Sequence, residues 1–220
     1  NSVADATVSY HIYDGLYRNV QGELQPATAE SYEVSDDGLV YTFKLRQDTK
    51  WSDGQTVTAK DYEYGMKRLC DPAAACPASY LGAVLKNGAK VSEGELPVDE
   101  LGVKALDDFT LEITLENPAD YFVSMTSMSA FMPVREDLVE KYGNEFGGSA
   151  DKQVYNGPFV VSEYSNGKVE LTKNPDYYDN EKISLDGVEI LTVAIRLLLF
   201  RCSMQASWIW QRSNRAGSAV

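Results

Sequence analysis

Tyr41-Thr42-Phe43-Lys44-Leu45-Arg46 alternates aromatic or apolar side chains with polar ones, the period-two pattern of a half-buried strand with one wet face. Thr110-Leu111-Glu112-Ile113-Thr114-Leu115-Glu116 and Lys168-Val169-Glu170-Leu171-Thr172 repeat the pattern. Beside these runs, Asp36-Asp37-Gly38, Ser52-Asp53-Gly54 and Asn166-Gly167 supply the positive-φ glycine that tight turns require. These features predict hairpins of a mainly antiparallel sheet.

Helix signals stand between the strands. Thr58 with Asp61 three residues on is a capping-box pattern, followed by Tyr62, Met66 and Leu69 at helical spacing and a stop at Asp71-Pro72. Pro77 opens a second predicted helix carrying Tyr80, Leu81, Val84 and Leu85, with Asn87-Gly88 as its stop. Asn117-Pro118 precedes Tyr121, Phe122, Met125 and Met128, and Leu138, Val139 and Tyr142 run into Gly143. Strands with amphipathic helices packed on them make an α+β pattern. No internal repeat or low-complexity segment is present.

Composition narrows the partners. The chain has 220 residues, of which 44% are apolar and 24% charged, with a net charge of −13. Nucleic acid and anionic membrane surfaces demand a basic patch, so neither is expected as a partner. The longest mainly apolar stretch, Ile190 to Phe200, is interrupted by Arg196 and has about half the length of a bilayer span. Asn1 is not a start methionine, and the expectation is that any export signal has been removed or lies outside this chain. Charge is also unevenly placed: every acidic residue lies at or before Glu189, whereas 195–220 carries Arg196, Arg201, Arg212 and Arg215 and no acid.

Catalytic chemistry is thinly represented. His11 is the one histidine and has no nucleophile turn to serve, so a structural role is expected. Neither a P-loop nor a G-x-G-x-x-G run occurs. Asp36 with Asp37, and Asp107 with Asp108, sit where aspartates bond their own turn backbone. Asp176, Asp179, Asn180 and Glu181 lack the glycine and terminal glutamate of a calcium loop and read as a solvated loop. Cys70 and Cys76 have no further ligand at zinc spacing, which leaves open a local disulfide if the chain is exported. No cofactor or metal is expected. Tyr10, Tyr13, Tyr17, Tyr80, Tyr121, Tyr155 and Tyr164 either line a ligand cleft or cover the sheet as core residues.

Particular strings carry further information. Leu24-Gln25-Pro26-Ala27-Thr28-Ala29-Glu30-Ser31-Tyr32-Glu33-Val34-Ser35-Asp36-Asp37-Gly38-Leu39, Lys50-Trp51-Ser52-Asp53-Gly54, Val57-Thr58-Ala59-Lys60-Asp61 and Leu101-Gly102-Val103-Lys104-Ala105-Leu106-Asp107-Asp108 resemble the oligopeptide-binding proteins of ABC importers. Asn156-Gly157-Pro158-Phe159 and Lys173-Asn174-Pro175 continue the resemblance to this family, the family 5 extracellular solute-binding proteins. It covers residues 1 to about 194 in order.

The resemblance implies the N-terminal portion of a two-lobed, type II periplasmic-binding-protein fold, ending before the second lobe. Residues 1–13 and 156–194 would be pieces of the ligand-contacting lobe, and 14–155 an accessory domain. Such a protein captures oligopeptides without catalysis and delivers them to ABC permease subunits, as a monomer in the periplasm or lipid-anchored outside the cytoplasmic membrane. Asn1, Ser2 and Val3 fall where the family places a strand that bonds the peptide backbone, and Tyr80 stands near a loop that elsewhere faces the ligand. That loop reads Cys76-Pro77-Ala78 here, with alanine where the family often has tyrosine. An acid hydrolase built on a carboxylate pair, and a surface sensing or adhesion module on the same scaffold, are the alternative readings.

Ile195 to Trp210 does not follow the family, whose signature near this point is close to M-F-x-A-G-E-L-D. The codons of Ala194 to Trp210 can be chosen so that the minus-one frame reads D-P-A-S-A-F-Q-M-F-H-A-G-E-L-D-M-A. The expectation is therefore that 195–220 is a frameshift product.

Overall fold

The computed structural model describes residues 3–165 and 167–191. The predicted tail, with Cys202, lies outside them. The chain opens with α1 (Val3–Ile12), then a hairpin of β1 (Tyr17–Val20) and β2 (Glu23–Pro26). A four-stranded antiparallel sheet follows in the order β3 (Ala29–Val34), β4 (Val40–Leu45), β6 (Thr110–Thr114), β5 (Val103–Asp107). The last sheet is antiparallel too, ordered β7 (Phe159–Ser165), β8 (Lys168–Lys173), β9 (Gly187–Leu191). Three of the strands are those predicted by alternation. On β4, Tyr41, Phe43 and Leu45 are buried while Lys44 is exposed, so the pleat puts one face in the core and the other in water. Turn glycines Gly38, Gly54 and Gly167 have φ values of 71°, 86° and 80°, as the turns demand.

Helix α2 (Ala59–Cys70) forms where its cap predicts and packs on β5 and β6. The Asp61 carboxylate accepts from the Thr58 backbone N–H at 2.8 Å and from the Thr58 hydroxyl at 3.1 Å. Trp51 Nε1–H adds a longer bond at 3.4 Å. Asp61→Ala removes the acceptor for a helix-terminal donor and is expected to cost about 1–2 kcal/mol, read as a lower urea midpoint.

Two predicted helices differ in form. Instead of an α-helix from Pro77 to Asn87, residues Ser79–Val84 make a 3₁₀ helix. Gly82 weakens an α-helical interior there, and Leu85 is drawn into an antiparallel bridge with Leu115. Asn87 adopts a left-handed conformation, φ 64°, and precedes α3 (Gly88–Ser92), so it starts a helix where a stop was expected. After Asn117-Pro118 only α4 (Phe122–Met125) is α-helical, and a 3₁₀ turn, Ser129–Phe131, follows. Helix α5 (Glu136–Tyr142) ends at Gly143 as predicted.

Side chains from 16 to 131 form one hydrophobic cluster, centred on aromatic rings such as Phe43, Tyr41 and Phe122, with the last two 5.1 Å apart. A smaller cluster joins Ile12, Tyr155, Phe159, Val169 and Leu171. Tyr13 packs against both. Cys70 is buried, Cys76 partly so, and both are free thiols; the disulfide is not formed.

Candidate ligand-binding groove

The groove is built where the two clusters meet. Helix α1 lies on β7, and its C-terminal turn delivers Ser9 and Tyr13 to the junction. The close approach is fixed by Gly157, whose N–H donates to the Ile12 carbonyl at 2.9 Å. A Cβ on Gly157 would stand 2.6 Å from Ile12 C and 2.7 Å from Tyr13 N, so only glycine lets the backbones come this near.

Tyr13 lies at the centre of the junction. Its hydroxyl donates to Gln153 Oε1 at 3.3 Å, and its ring meets Trp51 edge-on at 6.5 Å and Tyr155 at 6.1 Å. Burial pushes the Tyr13 phenol well above its ordinary range, and the Tyr155 phenol up to about 12. Both are therefore neutral donors at physiological pH. Two cavities of about 330 and 600 Å³ share Ser9, Tyr13, Gly147 and Gln153 as lining. Arg68, Met132 and Phe146 wall the smaller one, while Val161, Tyr164 and Ile190 wall the larger. Together they form a mixed trough of apolar walls and polar groups, with Arg68, Arg135 and Lys168 also in the lining, suited to an extended ligand backbone with varied side chains.

Beside the groove is a buried polar knot. The Asp14 carboxylate accepts hydrogen bonds from the Tyr177 and Tyr178 hydroxyls at 2.7 and 2.9 Å. Arg18 lies 3.8 Å from it and pairs with Asp179 at 2.7 Å. Arg46 covers the Tyr178 ring at 4.4 Å. The Asn156 side chain accepts from the Asp14 N–H and donates to its C=O, and Tyr62 donates to the same carbonyl. Burial pushes the Asp14 carboxyl above its ordinary value, against the opposing pull of Tyr177, Arg18 and Tyr178. Burial raises Asp61 in the same way. Both carboxyls are engaged in holding structure, Asp14 by two tyrosines and Asp61 by the helix cap, which leaves the carboxylate-pair hydrolase without support.

The other sequence candidates take structural places. His11 Nδ1 lies 2.7 Å from the Thr7 carbonyl, and its ring is 6.2 Å from Phe159. Asp37 accepts from Ser35 and Leu39, and Asp107 from Phe109, all within their own turns. Asp179 is paired with Arg18 and Lys182. Among the described residues no group of three or more His, Cys, Asp or Glu is placed to hold a metal ion. No helix among them is long and apolar enough to cross a membrane.

Of the predicted ligand contacts, Asn1 and Ser2 lie outside the described residues. Val3 is the first residue of α1, not part of a strand: Ala4 and Ala6 favour helix, and Val8 and Ile12 give it an apolar side that packs with the smaller cluster. Tyr80 is 72% exposed on the 3₁₀ helix and lines neither cavity. Tyr10, Tyr121 and Tyr164 are exposed, while Tyr17 and Tyr155 are buried in separate clusters. Of the seven tyrosines, Tyr13 and Tyr164 reach the groove. Ser9, Gly147 and Gln153 carried no sequence signal, because they come together only when α1 meets a loop some 140 positions away.

Comparison with known proteins gives a consistent result. Residues 23–201 match the bacterial extracellular solute-binding proteins, family 5 Middle, a match that runs past 194 into the atypical tail. The chain is 39% identical over 192 residues to the probable deoxycholate-binding periplasmic protein YgiS of Escherichia coli, covering 86% of this chain and 36% of that protein. It is 38% identical over 196 residues to the periplasmic oligopeptide-binding protein OppA of Salmonella typhimurium, covering 87% and 36%. Among solved structures, the substrate-binding domain of an oligopeptide ABC transporter from Bacillus anthracis superposes with a TM-score of 0.87 at 37% identity, over 93% of this chain and 40% of that one. OppA of Listeria monocytogenes, solved with a peptide bound, gives 0.87 at 36% identity over 93% and 42%. The chain thus spans little more than a third of the length of its curated relatives and shares the type II periplasmic-binding fold over that part. By sequence and by fold, it belongs to the family 5 bacterial extracellular solute-binding proteins.

Proposed function

We propose that the protein is the solute-capturing component of an ABC importer, that it takes oligopeptides, and that it hands them to a membrane permease without chemical change. The observation that carries this reading is the trough along Ser9, Tyr13, Gly147 and Gln153, where neutral donors and acceptors alternate with apolar walls. An extended peptide needs that combination: polar partners for its main chain and tolerant surfaces for its side chains. Residues 1–13 and 156–194 belong to the ligand-contacting lobe and 14–155 to the accessory domain, a division supported by the two separate hydrophobic clusters. The protein works outside the cytoplasmic membrane as a monomer.

Saturation-transfer NMR on the 220-residue chain tests the ligand class. Tri- and tetrapeptides are expected to show transfer with weak, fast-exchanging binding, because one lobe leaves a ligand largely in water. Transfer to nickel chelates or sugars with none to peptides would replace the peptide assignment.

A further inference from the structure

Three side chains at the centre of the groove form a hydrogen-bonded chain with a fixed direction. The Tyr155 hydroxyl donates to the Ala150 carbonyl at 3.3 Å, and a carbonyl only accepts, so the Tyr155 oxygen is left to receive. The Gln153 side chain bonds that oxygen and opposes the rise that burial gives the Tyr155 phenol, which is the effect of a donor. The carboxamide N–H therefore turns to Tyr155, and Oε1 turns to Tyr13, whose hydroxyl donates to it at 3.3 Å.

Tyr13 is thereby made an acceptor. Its single hydroxyl proton is committed to Gln153, and among the described residues no N–H or O–H donates to its phenol oxygen. Turning that proton towards a cavity would leave Gln153 Oε1 without a donor, which costs the desolvation of a carbonyl. Rings on two sides hold the phenol in place, Trp51 at 6.5 Å and Tyr155 at 6.1 Å. The contact lies at the join of the two cavities: Tyr13, Gly147 and Gln153 line both, and Gln153 Oε1 stands 3.6 Å from where a Cβ on Gly147 would be.

We propose that the Tyr13 phenol oxygen accepts an N–H from the main chain of the bound ligand, and that Gln153 is the positioning residue that keeps it an acceptor. This rests on the peptide reading above and assigns the join of the groove a polarity. An extended peptide carries N–H and C=O groups in alternation; at this point an N–H makes a bond, whereas a carbonyl meets an oxygen lone pair. A site built to bond an N–H rejects the analogue that lacks it, so amides are selected over esters of the same shape.

Two probes of one shape test this: N-acetyl-trialanine, and O-acetyl-trilactic acid, in which each main-chain N–H is replaced by an ester oxygen. Each is titrated into the isotope-labelled 220-residue chain, and the ring resonances of Tyr13 and Trp51 are followed. The amide is expected to bind roughly tenfold or more tightly than the ester. Tyr13→Phe removes the acceptor, and Gln153→Leu frees the phenol proton to serve an ester carbonyl, so both are expected to shrink that ratio to about threefold or less. Gln153→Glu, which still takes the Tyr13 proton, is expected to retain it. In the ligand-free chain the Tyr13 Cζ resonance is expected to move in Gln153→Leu, with backbone spectra otherwise preserved. An unmoved Cζ would overturn the hydrogen-bonded chain whatever the ligand. An amide-to-ester ratio unchanged in Tyr13→Phe would overturn the role of Tyr13, while binding of the amide left the peptide reading standing. Binding of neither probe would overturn the peptide reading, and this use of Tyr13 with it.

Discussion

Asp14→Ala is expected to destabilise the protein by about 3–5 kcal/mol, the range for breaking a buried, hydrogen-bonded charge arrangement by removing one member. The Tyr177 and Tyr178 hydroxyls lose their acceptor, and Arg18 is left with Asp179 as its single close carboxylate. Arg18 Nε is already a buried nitrogen without a partner among the described residues, so the knot has little spare capacity to reorganise. Urea unfolding at neutral pH measures the effect as a fall in midpoint at unchanged slope. A loss under about 1 kcal/mol would mean that water replaces the carboxylate readily.

Asp14→Asn adds a pH test of the same knot. The folded-state carboxyl titrates above its unfolded value of 3.8, so below that value Asp14 contributes stability, which is lost as the pH rises towards the folded value. An asparagine has no such dependence. The stability gap between wild type and Asp14→Asn should therefore narrow from about pH 4 to pH 7, as followed by urea melts at each pH. A gap that widens over that window would show that the carboxylate form is the favoured one in the fold.

The second large effect is expected from Gly157→Ala. A methyl there meets Ile12 C, Tyr13 N and Ile12 O at 2.6, 2.7 and 2.8 Å, all main-chain atoms that no rotamer change can move. The segments must separate, with loss of the Gly157 to Ile12 hydrogen bond, and the cost is expected at about 3 kcal/mol or more. Because the shift acts directly on Tyr13, any peptide-induced NMR shifts in the groove should vanish even at temperatures where the variant is still folded. Gly22→Ala serves as a control. A Cβ there finds nothing within 4 Å, and only its positive φ of 93° opposes the change.

What could be read from the sequence divides along range. The strands β4, β6 and β8 and the cap of α2 were legible because alternation and capping act within a few residues. The stretch from Pro77 to Gly88 misled because its helical spacing is real, while a distant bridge between Leu85 and Leu115 decides the outcome. The family strings located Asn156-Gly157-Pro158-Phe159 without saying why those residues matter. The structure supplies the reasons: Asn156 saturates both backbone groups of Asp14, Gly157 permits the α1 contact, and Phe159 anchors the smaller cluster. The groove itself was least legible, since Tyr13 was one of seven similar tyrosines and Gln153 had nothing to distinguish it. Its polar knot was equally hidden, as Asp14 and Tyr177 lie 163 positions apart.

That separation makes the groove and its polar knot long-range features of the fold. Asn156 and Gly157, the partners of Asp14 and Ile12, come more than 140 positions later in the chain, beyond the whole central sheet from Ala29 to Thr114. Tyr13 is likewise walled by Trp51 from within that span and by Tyr155 and Gln153 from beyond it. A chain cut before Gly157 would therefore keep every residue of the central sheet yet lack the glycine against which α1 docks.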